Sequence, residues 1–352
     1  MKILGIETSC DETAAAVVED GSRLLSNNVA SSMDLHAPYG GVVPEIAARS
    51  HIEVILPVIN AALKTAGCTF RDIDGIAVTY GAGLSGSLLI GVLTARTLAI
   101  INNKPLYAIN HVEGHVYANF LTESSLPGYQ MPRSAPNFPM LAIIVSGGHS
   151  QLVLFENHFN YKLLGQTQDD AIGEAFDKVA KILGLPYPGG PAVAKAAKLG
   201  DSTAYILPKA KMSKYDFSFS GLKTAVLRLA QAEIGESYDF PSQKLPERLS
   251  DAQKTNIAAS FERVAIETIV DKARLAFEEF APRSIVIAGG VASSQELRRQ
   301  LSATIPIRIE YPDPKLCTDN GAMIATLGCF KAQFKLPPVD PYSLVIDPGL
   351  SM

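Results

Sequence analysis

Leu4-Gly5-Ile6-Glu7-Thr8-Ser9 and Ile143-Ile144-Val145-Ser146-Gly147-Gly148 read as one device written twice. In the first copy the apolar run Ile3 to Ile6 stops at Glu7-Thr8-Ser9-Cys10-Asp11-Glu12, and Thr13 to Val18 reads as a second strand. Two strands joined by a small polar turn make a hairpin. In the second copy Leu141 to Val145 is a strand, Ser146-Gly147-Gly148-His149-Ser150 a tight polar turn, and Gln151 to Phe155 the returning strand. A second correspondence runs alongside. Ile76 to Thr79 ends in the glycine-rich stretch Gly81 to Ser87 and feeds a helix carrying Arg96, just as Ile285 to Ala288 runs into Gly289 to Ser293 and a helix. This is a degenerate duplication of one βα module. The expected fold is α/β, with two lobes facing each other across a cleft. Each lobe offers a turn of backbone N–H groups suited to a phosphate-bearing ligand.

Outward from these hairpins, residues 23 to 31 read as a third strand and Ile46 to Ala66 as a helix. Pro105 to Ile109 reads as a strand with a histidine motif at its C-terminal end, where α/β sheets bind ligands. Four prolines from Pro127 to Pro139, without apolar periodicity, mark a connection. The expected division is therefore a first lobe over 1–126, a connection over 127–139 and a second lobe over 140–316. Helices at 171–184, 191–199, 221–234 and 250–280 place a helical insertion over about 170–280. Ala303 to Ile309 is expected to lead to the last strand. Cys317 to Ala325 has Thr318 or Asp319 at the N-cap position of an Ala-rich helix, and 317–352 is expected to return to the first lobe. From Pro337 the tail is proline-rich and irregular.

At 352 residues the chain exceeds the roughly 250 to 300 at which single cores stop growing, so two domains are expected. Hydrophobic residues at 47% and charged ones at 19% describe ordinary globular material. A net charge of −4 excludes a uniformly basic surface, so a nucleic-acid partner would need a local patch or a helper protein. Cys10, Cys68, Cys317 and Cys329 are scattered without a C-x-x-C pair, which indicates neither a disulfide framework nor a thiolate zinc site and fits a reducing cytoplasm. The run Leu84 to Ile101 is broken by Ser85, Gly86, Ser87, Thr94, Arg96 and Thr97, and is expected to make a poor membrane span. A strand begins almost at Met1, so no signal peptide is expected.

The histidine motif is Asn110-His111-Val112-Glu113-Gly114-His115. On a helix, His111 and His115 share one face one turn apart and can converge on a metal ion. Glu113 sits about 200° round from His111, which argues against a zinc-protease mechanism, whose base must face the metal beside its first ligand. Asp319 is the candidate third ligand. Two histidines and a carboxylate leave coordination positions open and suit Fe(II) or Zn(II). The turns Ser9 to Glu12 and Ser146 to His149 are the phosphate candidates, because glycine lets backbone N–H groups approach an anion and serine hydroxyls can donate. Asp11 and Glu12 do not welcome a phosphate; they suit contact through a bound cation, orientation of an attacking amine, or acceptance of its proton. Asp169, Asp170 and Asp177 lie near a glycine turn, and Asp177 can accept from a ligand hydroxyl. Lys195, Lys198, Lys209, Lys211, Lys214 and Lys223, interleaved with Tyr205, Tyr215, Phe217 and Phe219, read as an RNA-facing surface.

Taken together, these motifs resemble the TsaD family, the catalytic subunit that makes N6-threonylcarbamoyladenosine in tRNA. The resemblance runs through Gly5 to Thr13, Gly40 to Glu45, Gly81 to Ser87, the histidine motif, Val145 to His149, Asp169 to Lys178, Tyr187 to Pro191, Phe217 to Lys223, Gly289 to Val291 and Cys317 to Ala325. It implies the ASKHA fold of actin, sugar kinases and Hsp70. The implied reaction moves the threonylcarbamoyl group from threonylcarbamoyl-AMP to N6 of adenosine 37 in tRNAs reading codons that begin with A. It also implies His111, His115 and Asp319 as ligands of iron or zinc, and nucleotide or acyl contacts at Ile144, Val145, Ser146, Gly147, Gly148, Asp177 and Gly190. The family's substrate-contacting Asn is replaced here by Ser294. TsaB-like and TsaE-like partners are implied, with a homodimer as the other assembly. A carbamoyltransferase acting on a small molecule and a sugar-kinase-like ATPase are the alternatives that the same fold supports.

Overall fold

The computed structural model describes residues 1–352. It forms two compact units, Met1–Pro136 with Glu310–Met352, and Asn137–Ile309.

The first unit opens with the meander β1 (Lys2–Glu7), β2 (Glu12–Glu19) and β3 (Arg23–Ser31). After the short α1 (Met33–His36) come α2 (Pro44–Thr65), β4 (Gly75–Gly81), α3 (Ser85–Asn102), β5 (Leu106–Asn110), α4 (His111–Tyr117) and the two-residue β6 (Glu123–Ser124). The six strands are ordered β5-β4-β1-β2-β3-β6. β1 pairs antiparallel with β2 and parallel with β4, and β4 parallel with β5. Ile3, Leu4, Ile6 and Ala14 to Val18 are all buried. Strands covered on both faces read as continuous apolar runs instead of alternating ones, and that is how these two read.

The second unit repeats the plan with β7 (Met140–Val145), β8 (Ser150–Asn157) and β9 (Asn160–Gln166). Helices α5 (Ile172–Leu183), α6 (Gly189–Ala197), α7 (Ser220–Glu233), α8 (Leu245–Arg248) and α9 (Asp251–Phe280) follow, then β10 (Ser284–Ala288) and α10 (Gln295–Thr304). β10 lies parallel to β7 in the order β10-β7-β8-β9. The strand order β4-β1-β2-β3 of the first unit has the same connectivity. Hairpin and parallel strand are therefore duplicated together, the ASKHA plan. Ala303 to Ile309, expected to lead to a last strand, leads to none: Ala303 and Thr304 end α10 and residues 305–309 form no strand. Pro306 offers no N–H to a ladder, and β10 is left as the last strand.

The chain returns through α11 (Gly321–Gln333), which packs on β1 and β2. Its backbone comes so close that a Cβ on Gly5 would collide with the Gly321 carbonyl and the Ala325 amide, and a Cβ on Gly321 with the backbone of Ala15 and Ala16. The tail then lies against the same unit. Val339 bridges to Leu106, and the Arg96 guanidinium donates to the Tyr342 carbonyl at 2.7 Å and also to those of Pro341 and Leu344. α2 and α3 are each long and apolar enough to cross a membrane by length and composition alone. The polar interruptions of α3 do not take it below that threshold of length and composition. Here each helix packs one face against the sheet.

Filling the space at Gly5 should loosen the helix that follows Asp319. Gly5→Ala is expected to destabilise the fold by roughly 1–3 kcal/mol, read as a lower midpoint in urea unfolding. An unmoved midpoint would show that α11 is not held by this close approach.

Candidate metal centre and anion-binding turns

β1, β4 and β5 run parallel side by side, and near their C-terminal ends stand Glu7, Thr79 and Asn110. Asn110 starts α4, its side-chain oxygen accepting from the Val112 and Glu113 amides at 2.9 and 3.3 Å. The helical spacing then brings the His111 and His115 rings to 4.7 Å between centroids. Glu113 is buried; burial pushes its carboxyl up, opposed by the charge of Lys331 on α11.

α11 begins after Asn320, whose Oδ1 accepts from the Met323 amide at 3.0 Å. The cap is thus the amide of Asn320, where the sequence pointed to Thr318 or Asp319. Asp319, one residue earlier, turns its carboxylate to the imidazoles. Its Oδ1 lies 3.2 Å from His115 Nε2 and 3.5 Å from His111 Nε2. The three donor groups fall within 4.8 Å of one another. His115 is buried, neither of its ring nitrogens makes a hydrogen bond, and the Asp319 oxygen approaches Nε2 outside hydrogen-bonding angles. Buried polar atoms left in this state are uncommon unless something else completes them. Two imidazoles and a carboxylate with converging donors fit a divalent metal ion.

The local field favours a cation as well. Burial alone would lower the His111 pKa, but the carboxylates of Asp319 and Glu7 outweigh it and hold the ring at about 9. Burial first, then Asp319 and Asp11, push Glu12 up to about 9. Four acidic side chains therefore share this end of the sheet: Glu7, Asp11, Glu12 and Asp319. The Ser9 to Glu12 turn is held by its neighbours. The Ser9 carbonyl accepts from the Leu84 amide at 2.8 Å, and the Cys10 carbonyl from the Ser87 hydroxyl at 3.1 Å.

In the second unit Ile144 and Val145 end β7 fully buried. Gly147 and Gly148 are exposed, with open space where a Cβ would stand. The turn is braced by the Ser146 amide donating to the His149 carbonyl at 2.8 Å and by the Gly173 amide of α5 donating to the Ser146 carbonyl at 3.2 Å. Gly289, at φ 90°, passes against the Val145 carbonyl with no room for a side chain. This lays the Gly290 to Ser294 turn beside Ser146. Ser294 caps α10, its Oγ accepting from the Leu297 amide at 3.3 Å. Asp177 Oδ1 accepts from the Gly189 amide at 2.7 Å, tying α5 to the start of α6 where Gly190 stands in open space. Burial pushes the Asp177 carboxyl up.

The aromatic part of the expected RNA-facing surface is overturned. Phe217 and Phe219 are core residues, 1% and 0% exposed. The Tyr205 and Tyr215 hydroxyls donate to Glu233 and Glu279 at 2.7 and 2.6 Å. Lys209, Lys214 and Lys223 pair with Asp271, Glu279 and Asp170. The alternating aromatics Tyr215, Phe217 and Phe219 are all buried, and exposed cations remain at Lys195, Lys198 and Lys211. Asp169 caps α7, accepting from the Phe219 amide at 2.8 Å.

Sequence reasoning passed over Glu7, whose carboxylate lies 3.1 Å from His111 Nδ1. The signal was an acid closing an otherwise apolar buried strand.

These features define an ASKHA-type α/β protein with a His-His-Asp set able to hold a divalent metal. A family model described as TsaD, tRNA N6-adenosine threonylcarbamoyltransferase, matches residues 23–326, and the chain belongs to this family. Curated relatives carrying that name include those of Thermomicrobium roseum, 49% identical over 95% of this chain and 92% of its own, and Symbiobacterium thermophilum, 50% identical over 93% and 91%. Among solved structures, full-length HypF in a phosphate- and nucleotide-bound form shares the fold at a TM-score of 0.54 and 13% identity, covering 95% of this chain and 46% of that one. The chain is thus a transferase of a tRNA-modifying family.

Because His111 stands protonated below about 9 in the cation-free site, metal must displace its proton. Affinity is expected to rise with pH between 6.5 and 9, with about one proton released per ion, measured by titration calorimetry in buffers of different ionisation enthalpy. Proton-independent binding would contradict the assignment. The same raised pKa stabilises the metal-free fold fully below pH 6.5, and that contribution disappears as pH climbs through about 9.

Proposed function

We propose that this chain transfers the threonylcarbamoyl group from threonylcarbamoyl-AMP to N6 of adenosine 37 in tRNAs that read ANN codons. The observation that carries this reading is the convergence of His111, His115 and Asp319 in a chain about half identical to curated enzymes of that name. Threonylcarbamoyl-AMP is already an activated mixed anhydride, so no nucleophilic side chain is required. The protein has to hold donor and amine in register and stabilise charge on the carbonyl oxygen and on the departing AMP.

His111, His115 and Asp319 would hold one iron or zinc ion, which supplies Lewis-acid polarisation when bound. The phosphate is assigned to the backbone N–H groups of the Ser146 to Gly148 turn, where missing side chains allow close approach. Ile144 and Val145 contribute backbone, and Asp177 beside Gly190 accepts from sugar hydroxyls. Ser294 uses one lone pair on the cap and keeps its O–H to donate. Asp11 and Glu12 orient the adenine amine and take its proton. Glu12 is protonated while the surrounding acids go uncompensated, so a cation held by Asp319 would bring it toward the ionised, proton-accepting form.

The reading carries partners with it. Ile52, Leu56, Leu89 and Leu93 on α2 and α3 are 61%, 56%, 44% and 45% exposed, beside an apolar groove of about 390 Å³. A contiguous patch of this kind suits another helix pair. We assign it to a TsaB-like, non-catalytic relative, with a TsaE-like ATPase as a further partner and the cytoplasm as the setting. tRNA contact is assigned to Lys195, Lys198 and Lys211, supplemented by partner surface because the chain's net charge is −4.

Depleting the protein and digesting bulk tRNA to nucleosides tests the activity. Threonylcarbamoyladenosine is expected to fall, and an unchanged level rejects the reading. Leu93→Glu should abolish co-purification with the TsaB-like protein while the metal content stays stoichiometric. Retained co-purification would move the partner elsewhere, and conversion of a homodimer to monomer would assign the patch to self-association.

A further inference from the structure

Glu7 is completely buried, and its only ion-pair partner is His111. Both of its oxygens are used. One accepts from the Ser9 amide, the other from the Thr79 hydroxyl and from His111 Nδ1 at 3.1 Å. Ser9 Oγ also lies 3.1 Å from that nitrogen. The carboxylate is fixed by two neighbouring strand ends and has no freedom to rotate away. The opposite nitrogen of the same ring, Nε2, faces Asp319 Oδ1 at 3.5 Å. His111 therefore bridges a buried acid on one side and the converging donors on the other. His115 has no such support, its Nδ1 being buried without a partner.

We propose that Glu7 is a positioning residue for the metal centre, holding the proton of His111 on Nδ1 so that the Nε2 lone pair is presented to the ion. This rests on the reading of His111, His115 and Asp319 as a metal site. An anionic acceptor on the distal nitrogen fixes tautomer and ring orientation and makes the ligating nitrogen more basic. Charge balance points the same way. A fully buried carboxylate is costly unless compensated. With two neutral imidazoles, Glu7 and Asp319 together match the charge of a divalent ion. In this arrangement Glu7 contacts neither substrate nor metal and acts only through His111.

Glu7→Gln keeps the shape and removes the charge. Metal affinity, measured by competition with a chromophoric chelator, is expected to fall roughly 10- to 100-fold. The visible bands of the Co(II)-substituted protein should shift, since a purely structural role would not alter the ligand field. An affinity within two-fold of the parent, with unchanged Co(II) bands, overturns the proposal. Thr79→Val provides a second route should Glu7→Gln fail to fold, because it removes the hydroxyl that steadies the His111-facing oxygen of Glu7 without touching a ligand. It should weaken metal binding in the same direction, and unchanged affinity there also overturns the proposal. His115→Ala is measured in parallel. If it loses stoichiometric metal while the Glu7 and Thr79 variants keep theirs, the Glu7 assignment alone fails; if it too retains metal, the metal site itself is wrong.

Discussion

Helix α11 can lie on the β1–β2 hairpin only because Gly5 and Gly321 have no side chains where the two backbones meet. The placement of Asp319 depends on that contact. Asp319 is far in sequence from the histidines, and a displacement of the helix start by the width of a methyl group would exceed the tolerance of a coordination bond. The same helix buries Ala322 to Leu327 against the sheet and brings Lys331 toward Glu113. One close approach thus sets the third donor and provides the opposing charge for the acid on the far side of α4.

The acids at the ends of the strands are a liability for folding and a resource for binding. Burial and mutual repulsion hold Glu12 near 9, and the same carboxylates hold His111 near 9. These shifts describe a site that binds protons where it could bind a cation, so metal and proton compete for the same field. Such a field also disfavours a phosphate at the Ser9 to Glu12 turn. The Ser146 to Gly148 turn has no acid of its own, and its two glycines are open to solvent. Two turns that look equivalent as hairpins therefore differ in the charge they can receive.

Much of this was legible in the residues. The i, i+4 histidines, the Glu113 turned away from them, the two hairpins and the parallel strands were readable because each is a local pattern imposed by helix or strand geometry. What was not legible depended on packing. Phe217 and Phe219 looked like a stacking surface because alternation reports only which residues share a face, not whether that face is covered. Asn320 and Asp319 are both good caps by propensity, and only the position of α11 decides which one caps and which is turned to the histidines. β9, with its mixed sequence Asn160 to Gln166, is a strand because β8 offers it an edge. Glu7 reads as the first polar residue of a turn, and its burial becomes visible only when Thr79 and His111 arrive from neighbouring strands.

Glu7 also shows why a polar group at the end of a buried strand carries information that apolar neighbours do not. Ile3 and Ile6 could be exchanged for other branched residues at modest cost, because packing tolerates volume-conserving changes. A carboxylate with no exposure cannot be kept by packing. It needs a hydrogen bond for each oxygen and a charge to face it, and the fold supplies these through Ser9, Thr79 and His111. A chain that needed only stability would do better with an apolar residue at this position. Retaining an acid there is understandable if the ring it holds must present its other nitrogen in one fixed direction.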